Sequence, residues 1–144
     1  MLIGEYKHSI DAKKRMAIPA KFRKELGKKA VITIGLDKCL VVYPLSEWQK
    51  LAEKLNALPM GQSDARRFAR LMFGEASEVE IDSLGRILIP ETLKNYAGLK
   101  NKVIITGVYN RLEIWNEESW QAYKSRLEKE TDVLAEKLGE IGAF

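Results

Sequence analysis

Asp11-Ala-Lys-Lys-Arg15-Met-Ala-Ile-Pro19 returns 71 residues later as Asp82-Ser-Leu-Gly-Arg86-Ile-Leu-Ile-Pro90. Each copy has an acid, three residues, an arginine, a short apolar run and a proline. Around them the two halves of the chain align. Gly98 answers Gly27 at the same offset, and one inserted residue then moves the offset to 72. From there Val31-Ile32 meets Val103-Ile104, Gly35 meets Gly107, Leu40 meets Leu112, Trp48-Gln49 meets Trp120-Gln121 and Leu55 meets Leu127. A match of this length with one insertion marks an internal duplication, hence a pseudo-two-fold pair of similar units.

Within the first half, residues 3–10 alternate loosely and predict a strand, Asp11 to Lys14 a polar turn, and Met16 to Ile18 a second extended run. Ile18 precedes proline, which biases it toward β. Pro19 can open a short helical turn through Phe22 and Leu26, closed by Gly27. Ala30 to Ile34 and Leu40 to Tyr43 read as a hairpin with Gly35 at the bend. Ser46 with Gln49 fits a capping box, followed by Trp48, Leu51, Leu55 and Leu58 at helical spacing.

After Pro59-Met-Gly-Gln, Ser63 to Phe73 predicts a second helix capped by Ser63, with Phe68, Leu71 and Met72 on its apolar side. Arg66, Arg67 and Arg70 lie mostly off that side, open equally to phosphate, a neighbouring subunit or solvent. The second half repeats the pattern from Ala76, and its last helix, from about Glu117, is longer than its counterpart. The expected division is a first repeat over 5–47, a helical connector over 48–75, a second repeat over 76–119 and a C-terminal helix over 120–144.

At 144 residues with 46% apolar side chains, the chain can bury one ordinary core or two small related ones. No apolar run is long enough to span a bilayer, and Met1-Leu-Ile-Gly-Glu-Tyr-Lys lacks the pattern of a signal peptide. A lone Cys39 excludes an internal disulfide framework and a thiolate-rich metal site. These features together predict a soluble cytoplasmic protein.

The net charge of +4 is unevenly spread. Residues 1–30 hold nine basic side chains against three acids, and the other 114 residues hold 15 against 17. The excess therefore sits in the first copy. Around the second, residues 75–98 carry five acids and two bases.

Asp-x-x-x-Arg on a helix would be an i,i+4 ion pair, but both copies lie between β-patterned segments, so each aspartate is expected to start a turn. Its carboxylate can then accept from backbone N–H groups two or three residues on. Gly85 sits where the second turn wants positive φ; the first has Lys14 there. The arginine has two readings: pairing with its own aspartate across the turn, or projecting from a pre-set tip. Lys13, Lys14 and Arg15 are three consecutive cations, suited to phosphates and, through a bidentate guanidinium, to guanine in the major groove.

Ile81-Asp-Ser-Leu-Gly-Arg-Ile-Leu-Ile-Pro90 resembles the signature of the AbrB/SpoVT swapped-hairpin superfamily. The doubled arrangement, with Gly35-Leu-Asp-Lys-Cys-Leu40 after the first copy, resembles the MraZ family over nearly the whole chain. The fold this resemblance implies is α+β, with duplicated β-hairpin units forming a pseudo-two-fold double-ψ-like barrel with flanking helices. The function it implies is that of a bacterial, nucleoid-associated transcriptional regulator. Such a protein acts as a closed homo-oligomeric ring on tandem direct repeats of double-stranded DNA, in the promoter of the division and cell-wall gene cluster.

Carried onto this sequence, the motif residues are Asp11 and Arg15, then Asp82 and Arg86. Lys13, Lys14, Arg15 and Arg86 are the expected DNA-binding residues, and Asp11, Asp82 and Gly85 fix the turns. The first copy is expected to be the main reader. Arg86 either contacts DNA or serves turn geometry and ring packing. Neither a cofactor, a metal, a membrane nor a small-molecule substrate is expected.

Catalysis is the poorest fit. His8 and Cys39 are single, and no phosphate loop, metal-ligand spacing or activated nucleophile is present. The alternatives are an antitoxin-like DNA-binding module or a ring scaffold that binds no DNA. An antitoxin usually seizes its partner with a disordered tail, whereas helical spacing here runs to Leu138.

Overall fold

The computed structural model describes residues 1–144. The first half gives β1 (Leu2–Ser9), β2 (Arg15–Ala17), α1 (Ala20–Leu26), β3 (Lys29–Ile34), a 3₁₀ turn (Leu36–Lys38), β4 (Leu40–Pro44) and α2 (Leu45–Asn56). After α3 (Ser63–Gly74) the second half gives β5 (Ser77–Glu80), β6 (Arg86–Leu88), α4 (Glu91–Tyr96), β7 (Lys102–Tyr109), β8 (Leu112–Asn116) and α5 (Glu117–Glu140). The fold is mixed α/β, with antiparallel sheet and five α-helices. No helix is long and apolar enough to cross a membrane.

The halves are interlocked. Six strands form one sheet in the order β1-β7-β8-β4-β3-β5, and β2 pairs with β6 in a separate ribbon. The first strand of each half therefore joins the hairpin of the other: β1 lies on β7, and β5 on β3. Interchanging the halves reverses the strand order and leaves it unchanged, with the pseudo-dyad passing between β4 and β8. The edges β1 and β5 do not pair, so backbone pairing closes no barrel.

Alternation along the strands builds the core. Ile32, Leu40, Val42, Val103, Ile105, Leu112 and Ile114 fill one face of the sheet, and Met16 and Ile87 from the ribbon, with Ile18 and Ile89 just after its strands, close over it with Phe22 and Leu93. Truncating a fully buried residue such as Leu112 to alanine costs about 2–5 kcal/mol. On the opposite face, Thr33 donates from Oγ1 to the Met72 carbonyl at 2.9 Å and ties α3 to β3. There Trp115 stacks on Tyr123 of α5, with ring centroids 5.0 Å apart. Beyond Leu127 the α5 stripe leaves the body: Leu134 and Leu138 are exposed.

Two local expectations are corrected. Helix α2 starts at Leu45 directly after Pro44, so Ser46 falls inside its first turn and forms no capping box. Ser63 is likewise the first residue of α3, with Gln62 at the cap and no side-chain cap bond. The turn Gln62 N–H to Pro59 O at 3.0 Å leads the chain in instead. Gly35 is extended, and the positive φ of the β3–β4 connection falls on Asp37 and Lys38. What requires glycine at 35 is space, since a Cβ would lie 2.6 Å from Cys39 Sγ.

Candidate nucleic-acid interface

The two Asp-x-x-x-Arg segments fold into the same turn. Asp11 Oδ1 accepts from the N–H groups of Lys13 at 2.8 Å and Arg15 at 2.9 Å. Asp82 Oδ1 accepts from those of Leu84 at 2.9 Å and Arg86 at 2.8 Å. The main chain closes each loop identically, with Lys14 N–H on Asp11 O at 3.0 Å and Gly85 N–H on Asp82 O at 2.9 Å. Both carboxyls are held below the usual range. For Asp11 the Arg15 backbone hydrogen bond leads, followed by that of Lys13. For Asp82 the Arg86 backbone bond leads, followed by its guanidinium.

Lys14 takes the left-handed conformation, at φ 62°, that Gly85 takes at 77°. The first turn therefore makes the same geometry without glycine, at a conformational cost of about 1 kcal/mol.

Each turn is completed by the other half. Ile18 N–H donates to Gly85 O at 2.8 Å, and Ile89 N–H to Lys14 O at 2.9 Å, two bonds related by the offset of 71. Between them, β2 and β6 pair Arg15 with Leu88, Met16 with Ile87 and Ala17 with Arg86. Directly opposed residues share a face. Met16 and Ile87 are buried in the core, so Arg15 and Arg86 both stand on the outer face as a diagonal pair.

Their side chains differ in commitment. Arg86 Nε donates to Asp82 Oδ2 at 3.0 Å, the pairing across the turn that one reading anticipated. Arg15 makes no such pair, and neither does Lys13. Lys14 is bound to Glu91 at the start of α4, in the other half. Among the helix-face arginines, Arg66 caps the Met60 carbonyl at 3.0 Å and Arg67 lies 3.6 Å from Asp64.

Two residues that sequence reasoning did not single out enter the site. One is Glu91. The other is Arg23, whose Nε donates to the Ile18 carbonyl at 2.9 Å while its guanidinium covers Gly85; a Cβ on Gly85 would fall 2.1 Å from that Nε. Burial, aided by the Arg23 charge, lowers the pKa of nearby His8 against an opposing hydrogen bond with Ala17. The halves thus trade charge: a first-half cation covers the second turn, and a second-half acid pairs with the first. A strand-exchanged reading of the duplication would have pointed to both.

Elsewhere, Cys39 is buried and its thiol is pushed up to about 12 by desolvation, so it is not a ready nucleophile. No group of three or more His, Cys, Asp or Glu side chains is placed to hold a metal ion.

Comparison with known proteins agrees with the duplication. The family model described as "MraZ protein, putative antitoxin-like" matches residues 1–71 and again 72–139. Among similar sequences, a protein of Caldicellulosiruptor saccharolyticus is 50% identical over 142 residues, covering 99% of each chain. One of Natranaerobius thermophilus is 48% identical over 138 residues, 96% of each, and one of Acetivibrio thermocellus 47% over 142 residues, 99% of each. All three carry the name Transcriptional regulator MraZ.

Proposed function

The chain belongs to the MraZ family, and from that premise we propose that it is a sequence-specific DNA-binding transcriptional regulator. One observation carries the reading: the β2–β6 register sets Arg15 and Arg86 on one outward face, above turns whose backbone is already fixed. Lys13 and Arg15 have no carboxylate partner and are free to meet a polyanion. Lys13 and Lys14 serve phosphates; Arg15, on a strand end held by Asp11, reads base edges. Arg86 joins them from the second turn, and Asp11, Asp82 and Gly85 fix the loops.

The partner in this reading is double-stranded DNA carrying tandem direct repeats, in the promoter of the division and cell-wall gene cluster. The protein acts in the cytoplasm on the nucleoid. A closed homo-oligomeric ring repeats one modest patch at regular intervals and gains affinity through effective concentration, and its symmetry suits direct repeats. The strand exchange between halves supports reading 5–47 and 76–119 as the two swapped-hairpin repeats of a double-ψ-like unit, with 48–75 as connector and 120–144 as the C-terminal helix. The chemistry asked of the site is recognition, not catalysis.

A gel shift tests this, using a duplex that spans the region upstream of the protein's own gene beside a scrambled duplex. Arg15→Ala is expected to remove the preference for the repeats, while Lys13→Ala weakens binding to both duplexes. Binding of the repeats by Arg15→Ala as tightly as by the parent overturns the assignment.

A further inference from the structure

We propose that Arg23 is a phosphate-binding arginine of this interface, delivered by the first half of the chain to the turn of the second. The inference rests on the reading that the turns meet DNA. Arg23 lies in the last turn of α1, and its guanidinium is fixed by two features. Nε donates to the Ile18 carbonyl at 2.9 Å, and the plane lies over Gly85, where only hydrogen replaces a side chain.

No carboxylate pairs with it, although Arg67, Arg86 and Arg111 each have one. Its terminal Nη groups are therefore held in place beside a turn with donors to spare. The second turn's own arginine is engaged by Asp82, and its tip residue Leu84 is apolar and 63% exposed. Arg23 supplies the cation that this turn lacks in sequence.

The tether to Ile18 O also settles which kind of contact fits. With Nε held by the main chain, the terminal nitrogens are the donors left to the guanidinium, and a guanidinium fixed beside the turn suits a phosphate oxygen. Arg23 thus adds affinity without sequence preference. The pseudo-symmetric position in the other half is Lys94, and there Lys14 occupies the place of Gly85, so no second arginine can settle in the same way.

The test is a salt titration of binding to the upstream duplex and to the scrambled duplex, with thermal melting of each variant. Arg23→Gln is expected to weaken binding to both by about the same factor, leaving their ratio unchanged. It should also flatten the dependence of log affinity on log salt by roughly one per protomer engaged. Gly85→Asn keeps a residue tolerant of positive φ but places a Cβ where Arg23 lies, and should reproduce the loss. The double variant should lose no more slope than either single one.

A folded Arg23→Gln, or a folded Gly85→Asn where the first does not fold, with the parent's slope and affinity overturns the role of Arg23 alone. A parent protein whose binding does not fall with salt overturns the DNA reading, and this inference with it.

Discussion

The first and second turns have one backbone between them and few side-chain partners in common. In both, the aspartate takes two N–H groups, the loop closes on the aspartate carbonyl, and the third loop residue has positive φ. Around that frame the first turn presents Lys13 and Arg15 unpaired and Lys14 tied to Glu91. The second presents Leu84, an Arg86 tied to Asp82, and a borrowed Arg23. The backbone of each turn is set by its own carboxylate and by the β2–β6 register. Charge is distributed across the interlock, so charges counted along a window of sequence are credited to the wrong turn.

Substitutions can break or sharpen this contrast. The largest effect is expected for Arg15→Ala, which should cost about 1–3 kcal/mol of discrimination between repeats and scrambled DNA, read by fluorescence anisotropy. Arg86→Ala should cost less, because Arg86 must first give up Asp82; equal losses would make the two turns equivalent readers. Next comes backbone strain. Gly85→Ala forces an L side chain into positive φ and against Arg23, and should destabilise by about 1–2 kcal/mol in urea unfolding. Lys14→Gly should do the reverse, gaining up to about 1 kcal/mol while weakening DNA binding on every sequence, since the exposed pair with Glu91 contributes little.

Acid separates the turns more gently. Folded Asp11 and Asp82 have pKa values below their unfolded ones, so their stabilisation is complete above the unfolded carboxylate value and is lost as pH falls through the folded one. Unfolding midpoints should therefore stay flat above about pH 5 and drop below about pH 4. Asp82→Asn should lower the neutral-pH midpoint more than Asp11→Asn, because it also releases the Arg86 guanidinium. Smallest of all, Cys39 should show no measurable reaction with a thiol reagent at pH 8 in the native state and full reaction after unfolding.

Much of this was legible in the sequence. The duplication, the placement of both turns and nearly every strand follow from offset and alternation, because a period of two reports which faces are buried. It does not report which strand lies alongside, and the exchange of β1 and β5 between hairpins could not be read from it. Arg23 and Glu91 were missed for that reason. The cap residues Ser46 and Ser63 misled because each falls inside the first turn of its helix: α2 follows directly on Pro44 of β4, and the Pro59–Gln62 backbone turn leads into α3. Gly35 was placed at the bend, but the sequence did not say why glycine stands there: a Cβ would lie against the Cys39 sulfur.

The same strand exchange also sets a schedule for synthesis. β1 finds its partner β7 only 100 residues later in the chain, and β2 waits for β6. At roughly 5–20 residues per second, a nascent first half spends several seconds outside the ribosome with its two-sided apolar hairpin uncovered on both edges, since β5 and β8 are still to come. During that interval the nearest complementary strands can belong to a neighbouring nascent chain on the same messenger. Two first halves could then join as two halves do within one molecule, so densely loaded ribosomes should favour mispaired dimers and sparse loading the correct monomer fold.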